Sequence, residues 1–147
     1  MAQLLSPDQL QHLRAPFYRV AVKGLLFDSD RRLAVVINSR GVAELPGGGW
    51  EGDETIGECI TREIFEETGG RVTRVGDVQI VMRGTSSHGW PVVRLIVPVA
   101  VEDTARLGPR DTMQAIQFLT KEEFCKQEFS TTDREIQTYA DTIWSRN

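Results

Sequence analysis

Apolar residues along this chain recur at two spacings, and the two divide it into strands and helices. Residues 17–27 (FYRVAVKGLLF) read as a strand with a largely buried second half, and Asp28-Ser29-Asp30 as the hairpin turn after it. Residues 33–38 form the returning strand, Ser39-Arg40-Gly41 turns the chain, and 43–45 make a short strand. Residues 71–75 and 78–82 are β-rich and are separated by Gly76-Asp77. The most hydrophobic strand is 92–101 (VVRLIVPVAV), where Pro98, having no N–H for a ladder, predicts a sheet edge or a bulge. Residues 114–119 are the last strand, and a helix follows from Lys121. Ser6-Pro7-Asp8 opens a short N-terminal helix, with Leu5, Leu10 and Leu13 to pack it and Pro16 to end it. Ser130 or Thr131 caps a terminal helix that buries Ile136, Tyr139, Ala140 and Ile143. Strands on either side of a central helix, with another helix at the end, predict an α+β layered domain: a mixed sheet flanked by helices.

The central helix carries a pattern that a solvated helix lacks. With Glu63 at zero on a wheel of about 100° per residue, Glu67 falls at about 40° and Glu66 at about 300°. Ile56, Cys59, Ile60 and Ile64 occupy the same side, while Glu58, Thr61 and Phe65 lie opposite. Carboxylates beside a core-facing stripe are costly to desolvate, so each must be paired or neutralised. Within the helix only Arg62 is basic. A hard divalent cation answers the deficit, and an all-oxygen set suits Mg²⁺, with Mn²⁺ as a substitute. A single Glu pair would read instead as acids reaching to water at the helix edge.

Ahead of the helix, Gly47, Gly48 and Gly49 admit backbone positions that a Cβ forbids and let the main chain approach a phosphate or an ion. Pro46 fixes the exit from the short strand before them. Read through, the segment has Gly48, five residues, Glu54, seven residues, then Arg62-Glu63-Ile64-Phe65-Glu66-Glu67-Thr68-Gly69-Gly70. It resembles the signature of Nudix hydrolases, G-x5-E-x7-R-E-U-x-E-E-x-G-U with U bulky and aliphatic, and departs from it only at Gly70.

That resemblance implies an α/β/α sandwich over residues 16–147, preceded by a helical extension at 1–15. It implies Glu63, Glu66 and Glu67 as metal ligands, joined by the Gly47 carbonyl, and a Glu54–Arg62 ion pair bracing loop against helix. By position alone Glu54 is also a helix N-terminal acid favoured by the dipole, and both can hold. Glu54, Arg62, Glu66 and Glu67 are thus the implied catalytic set, with Glu66 either a third ligand or the general base. Asp111 is a second candidate base on a later loop, although a loop aspartate more often caps a turn. A glutamate common in that region of the family stands here as Gln114.

The implied reaction is Mg²⁺-dependent hydrolysis of a phosphoanhydride in a nucleoside diphosphate linked to another group. The substrate stays open. Residues 85–88 are Thr-Ser-Ser-His, so neither the proline nor the tyrosine that marks some family subsets downstream of the signature is present. In the loop 84–91 (GTSSHGWP), Trp90 either stacks on a base or packs under the loop, and His88 reads as exposed. Trp50 either covers the metal site or packs on the sheet. Arg40, Arg83 and Arg94 are candidate phosphate contacts, though isolated arginines usually lie on surfaces. Lys23, inside an apolar strand, needs a partner or a route to water. A non-catalytic nucleotide-sensing or protein-binding domain of the same fold is the alternative, and its sign would be a missing signature acid; all four are present. A diphosphate isomerase would need a positioned cysteine and larger insertions, which the chain lacks.

Composition narrows the setting. At 147 residues and 40% hydrophobic content, one domain with a sizeable core is expected. A net charge of −4 argues against binding nucleic acid by bulk electrostatics and is compatible with a small anionic substrate held through metal ions. Cys59 and Cys125 form no metal or redox motif and are expected as reduced core residues, Cys59 beside the signature. No apolar run reaches membrane-spanning length and the N-terminus lacks a signal pattern, so a cytoplasmic location is expected. The N-terminal helix, as an addition to the core, suggests a homodimer by resemblance.

Overall fold

The computed structural model of the chain describes residues 6–11, 17–86, 88–130 and 133–147. Leu5, Leu13, Pro16 and Thr131 fall outside them, as does the side chain of Leu10, and with them the expected packing and end of the first helix. That helix, α1 (Pro7–Gln11), starts where Ser6 N–H donates to Gln9 Oε1 at 2.7 Å and Gln9 N–H donates to Ser6 Oγ at 3.2 Å. In chain order there follow β1 (Arg19–Leu26), β2 (Leu33–Ile37), β3 (Ala43–Glu44), β4 (Gly47–Gly49) and α2 (Ile56–Thr68). After them come β5 (Val72–Val75), β6 (Ile80–Thr85), β7 (Pro91–Val101), β8 (Ala115–Leu119), α3 (Lys121–Lys126) and α4 (Ala140–Arg146).

The strands build two sheets. One is mixed and runs β4-β1-β7-β5, with β6 also on β7; β1 and β7 are parallel, and the other pairs are antiparallel. The second is antiparallel, in the order β3-β2-β8. Alternation along β1 decides which residue faces which layer. Val22 and Leu26 pack with Cys59, Ile60 and Ile64 of α2. Leu25 faces the other way, into a core with Leu33, Val35 and Ile37 of β2, Phe124 of α3 and Ala140 and Ile143 of α4. The layers are therefore α2, the mixed sheet, the small sheet and the C-terminal helices, as the α/β/α expectation requires, with the middle layer doubled. Among the described residues no helix is long and apolar enough to cross a membrane.

Four local expectations change on inspection. Strand β7 is central, not an edge: β1 pairs along one side, and β6 and then β5 share the other. Pro98 stands where those two neighbours change over, so its missing N–H falls at the seam, while its carbonyl accepts from Gly76 N–H at 2.8 Å. The glycine run is itself a short strand, pairing Ala21↔Gly49, Val22↔Gly48 and Lys23↔Gly47. Cys125 is exposed, because its neighbour Phe124 takes the buried side of the short helix α3; both cysteines are free thiols. The terminal helix begins late, as a 3-10 segment at Arg134–Tyr139 that runs into α4. Its flanking residue Asp133 makes no side-chain cap, since that carboxylate turns inward.

Candidate active site

Helix α2 begins at a capping box. Thr55 Oγ1 accepts from Glu58 N–H, and Glu58 returns a carboxylate to Thr55 N–H, which satisfies two orphan donors of the first turn. It ends on Gly69 in the left-handed region, φ +72°, whose N–H reaches the Phe65 carbonyl. These two stops fix where the helix begins and ends, and the packing of Cys59, Ile60 and Ile64 on Val22 and Leu26 fixes its rotation against β1.

The three helix acids do not share one environment. Glu67 is 5% exposed, and its Oε2 accepts from Gly47 N–H at 3.4 Å. Burial pushes its carboxyl up to about 8, with Lys23 pulling down and Glu63 pushing up. The Glu63 carboxylate lies over Gly48, where a Cβ would stand 2.6 Å from Oε1. Glu66 has about half of its side chain in water, so the wheel places it at the rim of the apolar stripe.

Arg62 ties the site together. Its Nε and Nη2 engage both oxygens of Glu54, the latter at 3.0 Å, and Nη2 also donates to the Gly49 carbonyl at 3.1 Å. Nη1 donates to Glu63 at 2.8 Å and to Glu66 at 3.4 Å. The bonds from Arg62 hold the Glu54 carboxyl down at about 2, and the same pairing raises the guanidinium above its ordinary range. Glu54 sits just before the Thr55 cap, so it braces rather than caps. Trp50 is partly exposed and donates Nε1–H to the Glu54 carbonyl, closing the same loop. Cys59 is fully buried with Sγ 3.5 Å from the Gly49 carbonyl, and burial, then the charge of Glu54, pushes its thiol up to about 12.

The donors fit a hard cation in kind: three carboxylates and the Gly47 carbonyl, all oxygen, one of them buried with a raised pKa. They are not gathered into a cage, since among the described residues no group of three acidic, histidine or cysteine side chains is close enough to hold an ion. The physical reason is Arg62, which occupies Glu63 and Glu66.

Other residues singled out from the sequence fall at varying distance from this face. Asp111 has φ +55° on an exposed loop; the Arg110 before it donates N–H to the Glu67 carbonyl at 2.9 Å, so the loop packs on the end of α2. Gln114 donates to the Ser39 carbonyl. Arg40 is on an exposed turn, and its side chain bonds to no described residue. Arg83 reaches Tyr18. Trp90 lies under the Arg19 guanidinium, 5.5 Å from the ring centroid, and its buried Nε1 has no partner among the described residues. His88 is exposed, as expected.

Two buried residues emerge that the sequence did not bring together. Lys23 Nζ donates to the carbonyls of Leu45 and Gly47, at 3.1 and 3.2 Å. Asp133, 1% exposed, lies 3.8 Å from that ammonium, takes Leu45 N–H on Oδ2 and places Oδ1 3.0 Å from Arg94 Nε. Burial alone would lower the Lys23 pKa; Asp133, Glu44 and Glu67 outweigh it, and the ammonium titrates above its ordinary value. The one available signal was two cations inside the two most apolar strands, which demands an anion but does not say which.

Comparison with known proteins places this geometry. The NUDIX domain model matches residues 17–141. Over 58 residues the chain is 43% identical to a MutT-like protein of Streptomyces ambofaciens, a match covering 39% of this chain and 38% of that one. Over 56 residues it is 39% identical to nucleoside diphosphate-linked moiety X motif 6 of Homo sapiens, covering 35% and 18%. Each match spans less than two fifths of the relative's length. Among solved structures, a MutT protein from Methanosarcina mazei Go1 superposes with a TM-score of 0.74 at 19% identity, over 92% of this chain and 98% of that one. A UDP-X diphosphatase also gives 0.74, at 16% identity, over 95% and 69%. At such identities the likeness is one of fold.

Proposed function

The chain belongs to the Nudix family, and from that premise we propose that it is a metal-dependent pyrophosphohydrolase, cleaving a phosphoanhydride in a nucleoside diphosphate linked to a further group. The observation that carries the reading is Glu67: a buried carboxylate at the edge of the glycine strand, flanked by Glu63 and short of compensating charge. Burying such a group is unfavourable unless a cation completes it. Glu63 and Glu67 would hold Mg²⁺, or Mn²⁺ in its place, with Glu66 as a third ligand or as the base; the Gly47 carbonyl, which the resemblance adds to the set, is taken by the Lys23 ammonium in this structure. The metal, when bound, supplies charge neutralisation on the phosphate oxygens and an acidified water.

The chain's own residues do the rest. The missing side chains of Gly48 and Gly49 let the Glu63 carboxylate and the Arg19 guanidinium lie against the strand's main chain. Arg62 holds Glu54 and the Gly49 carbonyl and so pins the strand to the helix. Its bonds to Glu63 and Glu66 would have to give way for either acid to hold a cation. Glu66, half in water and held only at 3.4 Å, is the acid best placed to take a proton from an attacking water. Substrates in keeping with the reported relatives' names are nucleoside diphosphate-linked and UDP-linked compounds; nucleoside triphosphates and ADP-ribose belong to the same chemical class.

The test is phosphate or nucleotide release across such a panel, with and without Mg²⁺, products being separated to show which anhydride breaks. Metal-dependent hydrolysis of any member, lost in Glu67→Gln with the fold intact, supports the proposal. Full activity in Glu67→Gln refutes it, and folded protein that binds no metal favours a non-catalytic sensor.

A further inference from the structure

Gly47 is held on both sides. Its N–H donates to Glu67, and its carbonyl accepts from Lys23. A fixed ammonium therefore sits one peptide away from the buried carboxylate of the proposed metal box, on the sheet face turned away from α2, with Leu25 as its neighbour on that face. Nothing in the hydrolysis described above uses it.

What keeps Lys23 there is a three-way arrangement buried in the middle of the molecule. Asp133 offers Oδ2 toward Nζ and to Leu45 N–H, and Oδ1 to Arg94. The Arg94–Asp133 pair is close but off the line of a hydrogen bond, and Arg94 Nη1 is buried with no partner among the described residues. Glu44, 3.9 Å from Nζ, is the other anion near the lysine. One carboxylate thus serves two cations, and for Lys23 the remaining charge is that of Glu44 and, beyond it, Glu67.

We propose that Asp133 is a positioning residue of the metal box that acts through Lys23: it anchors the ammonium on the Leu45 and Gly47 carbonyls and so leaves Glu67 to the divalent ion. The inference rests on the metal-box reading above. Without the negative charge of Asp133, the anions that remain for Lys23 are Glu44 and Glu67. The ammonium then turns toward Glu67, competes with the metal for that carboxylate and repels the ion. Outer partners of metal ligands commonly shift affinity in this way.

Calorimetric titration of the full chain with Mn²⁺ and Mg²⁺ tests it without reference to turnover. The variants are Asp133→Asn, which keeps an acceptor for Leu45 N–H, Lys23→Met, the double variant, and Glu67→Gln as a control on the box. Asp133→Asn should weaken metal binding on the order of tenfold. In the Lys23→Met background the same change should have almost no effect on metal affinity, because the competing cation is gone. A purely structural Asp133 would lower the melting temperature in both backgrounds and leave metal affinity alone; that result overturns the inference. A tenfold loss that persists without Lys23 overturns it as well. Should Asp133→Asn fail to fold, the wild-type chain still decides: the Lys23 ammonium resonance must move as Mg²⁺ saturates, and one that stays put refutes the coupling. Wild-type binding abolished in Glu67→Gln but unmoved in Asp133→Asn removes this inference and keeps the metal box; no binding in the wild type removes both.

Discussion

Two sets of charges meet at Gly47, and they are built in opposite ways. On the α2 side, Glu54, Arg62, Glu63, Glu66 and Glu67 come from one short stretch of chain, with Arg62 27% exposed and Glu66 at 49%. On the other side, Lys23, Arg94 and Asp133 come from β1, β7 and the approach to the last helix, with side chains exposed by 9%, 5% and 1%. The first set is local, hydrated at its rim and able to exchange partners. The second is dry and leaves Arg94 Nη1 without a hydrogen-bond partner among the described residues. The proposed metal site, which would have to admit an ion and release a product, calls for the first kind of charge; a strand edge that must not move calls for the second.

The sharpest break of the comparison is at Gly47 itself. A Cβ there would stand 2.1 Å from the Val22 carbonyl, and the backbone is already at φ +136°. Gly47→Ala should unpair β4 from β1 and cost about 4 kcal/mol or more in urea unfolding, the range reserved for broken cores and strained backbones. A loss below about 1 kcal/mol would mean that the two sets are not joined through this residue.

Next come the two clusters taken singly. Asp133→Ala takes the shared anion from two buried cations and should cost about 3–5 kcal/mol. Arg62→Ala leaves carboxylates that reach water, so its loss should be nearer 1–3 kcal/mol, roughly the worth of a few charged hydrogen bonds after solvent screening. The reverse order, read from the same unfolding curves, would put the rigid anchor on the box side.

Within the α2 side, two acids respond to pH with opposite signs. The Glu67 carboxyl, raised to about 8 from an ordinary 4.5, keeps its proton in the folded chain where the unfolded chain has lost it. Metal-free protein should therefore lose stability as pH climbs from about 5 to 8, and Glu67→Gln should flatten that slope. Glu54, held down at about 2, contributes stability present above its unfolded value and lost as pH falls from 4.5 toward 2. Melting temperature against pH in chelator reads both. A Glu67→Gln curve parallel to the wild type would show that the buried acid carries no unpaid charge.

How far the molecule was legible follows the same division. The helix acids announced themselves because a loop-and-helix motif is local, and a wheel shows which side Glu63 and Glu67 share. The wheel could not grade them: Glu66 is half exposed because the helix rim, not its angle alone, meets solvent. Most strands are legible to within two or three residues, but the glycine strand β4 is not, and Pro98 points to an edge or a bulge where β7 is central. Pro98 is tolerated in the centre because two strands abut beside it, and that is a fact of tertiary pairing. Asp133 was unreadable for the same reason. Following Ser130, it looks like part of a helix cap, and only the fold brings it to Lys23 and Arg94.

The smallest effect separates a helper from a bystander on the box side. Asp111 is one of the few non-glycine residues at positive φ, +55°. If it serves only the turn that docks on the end of α2, Asp111→Gly removes about 1 kcal/mol of left-handed strain. Part of that gain is returned through the greater entropy of the unfolded chain. The variant should then be equal to the wild type or slightly more stable, with unchanged Mg²⁺-dependent turnover. If Asp111 takes the proton instead of Glu66, stability still holds while turnover falls by at least about a hundredfold, and Glu66→Gln becomes the milder lesion. Stability and rate measured on the same two variants thus assign the base to the helix or to the loop that leans on it.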